Sequence, residues 1–197
     1  MLLKLKQLLK YLEDNINISH IKQVESLHKS ALSWQVVERL PLIASYPYPQ
    51  FQEFMPYPHG QVFDDPEKML FNQFVSAFDL SPLLSIKLGD DLPFCIRADF
   101  GCVLVASMFG ANIEQKQDNP PWVKQTGSAI SYEQIINTPI DDMNRGLIPK
   151  VSQRYKIYRD ILKDYPRLES ITNITLPDLQ APFGSLELLR GSEIFVD

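Results

Sequence analysis

Apolar positions recur at helical spacing from the start of the chain. Leu2, Leu5, Leu8, Leu9 and Leu12 alternate with lysines, the pattern of an amphipathic helix. Residues 19–38 keep the same period, with Ser19 as an N-cap, until Arg39, Leu40 and Pro41 break it. The run "LPLIASY", residues 40–46, is short, apolar and of strand character. From Tyr46 to Met69 prolines and aromatics are too dense for either regular period, which predicts a long ordered loop. A helix then starts with Asp64 or Asp65 as cap and Pro66 in its first turn, and a second helical piece covers 81–88.

The segment "PFCIRADFGCVLVASMFGA", residues 93–111, is of a different kind. Its alternation puts Cys95, Arg97 and Asp99 on one face and Phe94, Ile96 and Ala98 on the other. "CVLVASMFG" predicts a helix ended by Gly110, and residues 111–131 read as an excursion with a proline turn anchored by Trp122. A helical region follows through "YEQIINT" and 139–166, with Pro149 kinking or restarting it and Tyr165-Pro166 stopping it. "LESITNITLPDLQAPFG" supplies one more strand, and "SLELLRG" opens a helix.

This order of helices and strands predicts an α/β fold with a parallel sheet. An open three-stranded doubly wound sheet is one form of it. The other, expected here, is a partial (β/α)8 TIM barrel, its N-terminal half spanning 39–197 behind a helical extension at 1–38. The apolar parity of the central strand would pack under helices, and Asp99 would stand at the barrel mouth with Arg97 one layer below.

The totals narrow the class. With 197 residues, 45% hydrophobic and 22% charged, the chain can bury a core. A net charge of -5 and no dense basic run exclude phosphate neutralisation as a mode of binding, so no nucleic-acid partner is expected. Cys95 and Cys102 fit neither a disulfide framework nor a zinc knuckle and read as buried thiols in a reducing compartment. The lysines inside the first apolar stretch argue against a signal peptide, and no run reaches membrane-spanning length. A cytoplasmic protein is expected.

Few residues carry candidate chemistry. Arg97 and Asp99 form either a ligand-recognising pair at a strand end or a buried ion pair closing the interior, and spacing weighs the two evenly. Asp178 and Gln180 follow the last strand as a ligand-facing loop would, although the prolines around them also serve a turn. His20, His28 and His59 do not form a metal site. His59 reads as a substrate contact or as a surface histidine. Tyr46, Tyr48 and Tyr57 would line a pocket for a flat ligand or pack their own loop.

Together "DDLPFCIRADFGCVLVASMFGANIEQ", "NPPWV", "GLIPKV" and "ITLPDLQAPFGSLELLRGSEIF" resemble the uroporphyrinogen decarboxylase superfamily, and more closely its divergent members grouped with corrinoid-dependent methyltransferases. The resemblance spans most of 30–197 and implies the N-terminal half of that family's (β/α)8 barrel. It implies that Asp99 in "IRADFG" matches the aspartate that holds the pyrrole nitrogens of a tetrapyrrole. The family's arginine-rich segment is replaced here by "ASYPYPQFQEF", and its later tyrosine by Leu188, which weakens the decarboxylase reading. The methyltransferase branch uses zinc held by a His-x-Cys pair and a later Cys, in a part of the barrel this sequence does not match. No cofactor is therefore assigned to this chain, while zinc and a corrinoid are expected of a complete enzyme. The implied partners are a small-molecule or corrinoid-linked substrate and a corrinoid protein. The alternative is an inactive half-barrel remnant or interaction module, whose open strand edge would need a partner or a homo-oligomer.

Overall fold

The leucine period of the N-terminus forms α1 (Leu3–Asn15), whose Leu5, Leu8, Leu9 and Leu12 are wholly buried. The computed structural model describes residues 1–45, 54–76, 80–124 and 129–195. After α1 come α2 (Ile18–Leu32), α3 (His59–Val62), α4 (Pro66–Val75), α5 (Pro82–Leu88), β1 (Cys95–Ile96) and α6 (Leu104–Met108). The hairpin strands β2 (Ile113–Glu114) and β3 (Trp122–Val123) precede α7 (Tyr132–Ile136), α8 (Ile148–Leu162), α9 (Pro166–Glu169), β4 (Asn173–Ile174) and α10 (Pro182–Arg190). The fold is thus mixed and rich in helix, with small open sheets. It divides into two units, the first of Met1–Tyr57, Asp65–Arg97 and Ile157–Thr175, the second of Pro58–Asp64, Ala98–Lys156 and Leu176–Asp197.

In the first unit α1 packs on α4, α5 and α9. Their shared core includes Met69, Phe71, Phe74, Leu83, Phe94 and Leu168, each 1% exposed or less. The helix starts follow local chemistry. The Asp65 carboxylate accepts the Glu67 and Lys68 amides at 3.0 and 3.1 Å, and Pro66 occupies the first turn where no amide is needed. Ser81 caps α5 in the same way, and Gly89 closes it at φ 66°. The cap of α2 is Asn17 rather than Ser19, its side chain accepting the His20 amide at 3.1 Å. That helix also stops at Leu32 instead of reaching 38, because Trp34 takes a left-handed φ of 55°.

The only strand pairing described in this unit is parallel, Cys95 opposite Asn173 and Ile96 opposite Ile174. The Asn173 and Thr175 amides donate to the Phe94 and Ile96 carbonyls at 2.8 and 2.9 Å. Residues 40–45, expected in a strand, are not in one. Their backbone groups are taken by the Asp90-Asp91 dipeptide instead of a ladder. Leu42 N–H donates to the Asp91 carboxylate and Ala44 N–H to that of Asp90, each at 2.8 Å, while Asp91 N–H donates to the Leu42 carbonyl.

In the second unit the expected excursion is an antiparallel hairpin, Ile113 opposite Val123 and Glu114 opposite Trp122. Trp122 is no anchor, being 51% exposed; the neighbouring Pro121 is the buried residue. α8 starts at Ile148 with Pro149 in its first turn, the restart rather than the kink of the two expected outcomes, and Pro182 starts α10 three residues before the expected Ser185. A 3-10 turn at Gly101–Val103 leads into α6. Ser107 on α6 receives the Leu147 amide at 3.0 Å and donates to the Leu104 carbonyl at 2.6 Å, tying the approach to α8.

Candidate functional site

The alternation read from 94–100 appears in the structure: Phe94, Ile96, Ala98 and Phe100 are buried, while Cys95, Arg97 and Asp99 between them are partly exposed. Strand geometry explains this, since successive side chains leave opposite faces. Its consequence lies in the first unit. Cys95 and Arg97 line a cavity of about 340 Å³, at the low end of small-molecule sites. His28, Gln73 and Thr175 are its other polar lining residues. The other described lining residues are apolar: Ile43, Leu80, Pro82, Leu92, Pro93 and Ile96.

The cavity flanks β1 from Leu92 and Pro93 before it to Arg97 directly after it, and takes in Thr175 after β4. Open α/β sheets bind ligands outside the carboxyl ends of their strands, and Arg97 and Thr175 are the lining residues at those ends. Each polar group is placed by a different element. Gln73, 3% exposed on α4, accepts the Arg97 amide on its Oε1 at 3.0 Å and so fixes the strand's exit. His28 on α2 places Nε2 at 2.7 Å from the Asp91 carbonyl, which makes that nitrogen the donor. His20, two turns earlier, does the same to the Asp90 carbonyl at 2.8 Å. The Thr175 hydroxyl donates to the Ile96 carbonyl at 3.4 Å.

One wall of the cavity is a strap. Ile43 lies in the segment 39–44 that Asp90 and Asp91 hold, and the Arg39 guanidinium forms a two-pronged ion pair with Asp91, one prong at 2.7 Å. The hydrogen bond from Arg39 is the main reason the Asp91 carboxyl is held down to about 2, with the Leu42 amide adding to it against the opposing effect of burial. Ser85 Oγ–H donates to Asp90 from α5, so both carboxylates are engaged.

The other expected residues are placed as follows. Asp99 is in the second unit, where its Oδ1 accepts the Gly101 amide at 3.1 Å and shapes the entry to the 3-10 turn, with Gly101 at φ 61°. Asp178 and Gln180 lie in the loop before α10, both partly exposed. The Asp178 charge reaches the Cys102 thiol, pushing its pKa up in addition to the larger effect of burial. Gln180 folds over the start of α10, where a Cβ on Gly184 would stand 2.9 Å from its Cγ. His59 is exposed at the first residue of α3. Tyr46 lies outside the described residues. The structure therefore brings Arg97 into the cavity, together with Gln73, His28, Cys95 and Thr175, none of which the sequence reading proposed as binding residues. A signal existed for Gln73, an amide among the apolar residues of "MLFNQFV". The others come from separate segments and carry no local mark.

Among the described residues no three His, Cys, Asp or Glu side chains are grouped to hold a metal ion. Burial pushes both thiols up, Cys95 further by the Glu25 carboxylate, whereas a zinc ligand needs a thiol that ionises readily. No helix among the described residues is long and apolar enough to cross a membrane.

Against models of protein families, curated proteins and solved structures, the chain gave no match.

Proposed function

We propose that the chain is the N-terminal half of a (β/α)8-barrel enzyme of the uroporphyrinogen decarboxylase superfamily, of the corrinoid-dependent methyl-transfer type. The observation that carries this reading is the parallel β1 and β4 pair, whose carboxyl ends deliver Arg97 and Thr175 to a cavity. The ordered set of motifs from "IRADFG" to "LPDLQAPFG" supports the choice of family. The chain's own task in such an enzyme is recognition. Arg97 contributes to recognition from the cavity of the first unit, and by the family resemblance Asp99, Asp178 and Gln180 of the second unit are further candidates for ligand recognition. A corrinoid supplies the methyl-carrying chemistry when bound, and no zinc ligand is contributed from here. In this reading the protein works in the cytoplasm beside a corrinoid protein.

A second reading, a non-catalytic interaction module, is favoured by exposed apolar side chains in the second unit. Leu176, Leu179, Phe183 and Phe195 are each more than half exposed. A homo-oligomer or a partner chain would cover them.

Equilibrium binding of methylcobalamin to the full chain, read by its visible absorbance, separates these readings. Measurable binding that Asp99→Asn weakens tenfold or more, with unchanged circular dichroism, supports the first. Coproporphyrin binding in place of cobalamin would move the assignment to a tetrapyrrole carboxy-lyase. Binding of neither would leave the interaction module.

A further inference from the structure

We propose that the apolar ridge at 32–42 in the first unit is a twofold interface, and that a second copy of this chain covers it. The inference goes beyond the methyl-transfer reading and does not rest on it. Leu32, Trp34, Val36, Leu40 and Leu42 are each 72% exposed or more. Single apolar residues on a surface are normal, whereas a run this dense marks a contact.

Two features hold these side chains outward. Trp34 follows the end of α2 at φ 55°, where glycine is the usual residue. Its backbone is fixed there, because the Trp34 N–H donates to the Ala31 carbonyl at 3.1 Å and the Gln35 N–H to the Ser30 carbonyl at 3.0 Å. Further along, Asp91 and Asp90 pin the Leu42 and Ala44 amides. Pro41 is half-buried and Ile43 lines the cavity, so Leu40 and Leu42 take the outer parity. A face ordered in advance loses little freedom on binding.

Area and charge select the occupant. A Trp side chain offers up to about 250 Å² and an aliphatic one on the order of 100 Å², so the five present roughly 600 Å². A standard face of about 800 Å² per partner, about 65% apolar in homodimers, needs roughly 500 Å² of apolar surface. The ridge meets that need by itself. Residues 30–45 carry one acid, Glu38, and one base, Arg39, in a chain of net charge -5. A twofold contact sets a surface against itself, so a neutral stretch of an acidic chain is where two copies meet without repulsion. A lipid surface calls for a basic cluster, and Arg39 is the single cation here and is engaged by Asp91. Strand addition is disfavoured as well, since Pro41 has no N–H and the Leu42 and Ala44 amides are taken. Side-chain packing around Trp34 is the mode that remains.

Sedimentation equilibrium of the full chain tests this. A monomer–dimer equilibrium with a Kd on the order of ten micromolar is expected. Trp34→Ser raises that Kd about tenfold or more and Leu40→Gln about fivefold, while Phe183→Ser, at an exposed apolar residue of the second unit, leaves it unchanged. Both ridge positions are exposed, so the variants keep the circular dichroism of the unaltered chain. With Trp122→Phe, Trp34 is the single tryptophan, and its emission moves to shorter wavelength as the dimer forms. A chain that stays monomeric at about ten times that Kd overturns the proposal. So does a dimer that Trp34→Ser leaves intact or Phe183→Ser breaks, growth past the dimer, or short-wavelength Trp34 emission in the monomer. A Trp34 shift that appears only with phosphatidylserine vesicles would make a lipid surface the occupant and overturns it too. Cobalamin binding is a separate readout, so either proposal can fail without the other.

Discussion

Replacing Asp91 by Asn tests the latch that holds the strap 39–44 against the cavity. The carboxylate is 4% exposed, engages Arg39 by both oxygens and accepts the Leu42 amide at 2.8 Å. A pKa drawn from 3.8 down to about 2 corresponds to about 2.5 kcal/mol of native-state preference for the charged form. Because Arg39 is 55% exposed and its charge is screened, we reduce this to about 1–1.5 kcal/mol. The sign follows from the depressed pKa. The contribution is complete above the unfolded value of 3.8, falls to about half near pH 3 and is gone below about pH 2. The assay is amide hydrogen exchange, since Leu42 and Ala44 report the strap directly. At neutral pH Asp91→Asn lowers their protection by about tenfold, and the two amides fall together although Ala44 is bound to Asp90. Near pH 3 the gap between variant and wild type narrows to about threefold. Unchanged Leu42 and Ala44 protection at neutral pH, or a gap that does not narrow in acid, would falsify the latch.

Two further substitutions probe the packing that positions the site. Glu13→Gln removes the charge that receives the Arg167 and Leu168 amides at 3.0 and 2.9 Å at the start of α9, and is expected to cost about 1 kcal/mol in urea unfolding at low salt. In the second unit Gly146→Ala is expected to cost about 2–4 kcal/mol in urea unfolding, because φ is +54° and the new Cβ would stand 2.5 Å from the Ser107 carbonyl carbon. A loss below about 0.5 kcal/mol would show that Ser107 can retreat.

Much of the helical framework was legible because its causes are local. The leucine period of α1 and the Asp65-Pro66 start of α4 each need fewer than a dozen neighbouring residues to read. The failures were of the opposite kind. "LPLIASY" has strand composition, yet Leu40 and Leu42 are 72% exposed and the Leu42 and Ala44 amides bond carboxylates some fifty residues ahead. Nothing in the segment announces that competitor. The hairpin at β2 and β3 was missed because its turn carries Gln117 at φ 47°, a residue that does not signal such a backbone, whereas asparagine or glycine would have.

The same division runs through the site. Arg97 could be found from one strand because a charge on alternate positions of an apolar segment has only a ligand, a partner or solvent to face. The structure adds a consequence that alternation could not give: Arg97 and Asp99 share a parity but belong to different units, so common parity did not make them one site. Gln73 shows what settles such a case. A buried amide on α4 takes the Arg97 backbone N–H, and that long-range bond fixes where the strand ends and its side chain begins to line the cavity. Pattern along a strand therefore nominates a binding residue, and the buried polar group that meets its backbone from another element identifies the cavity it serves.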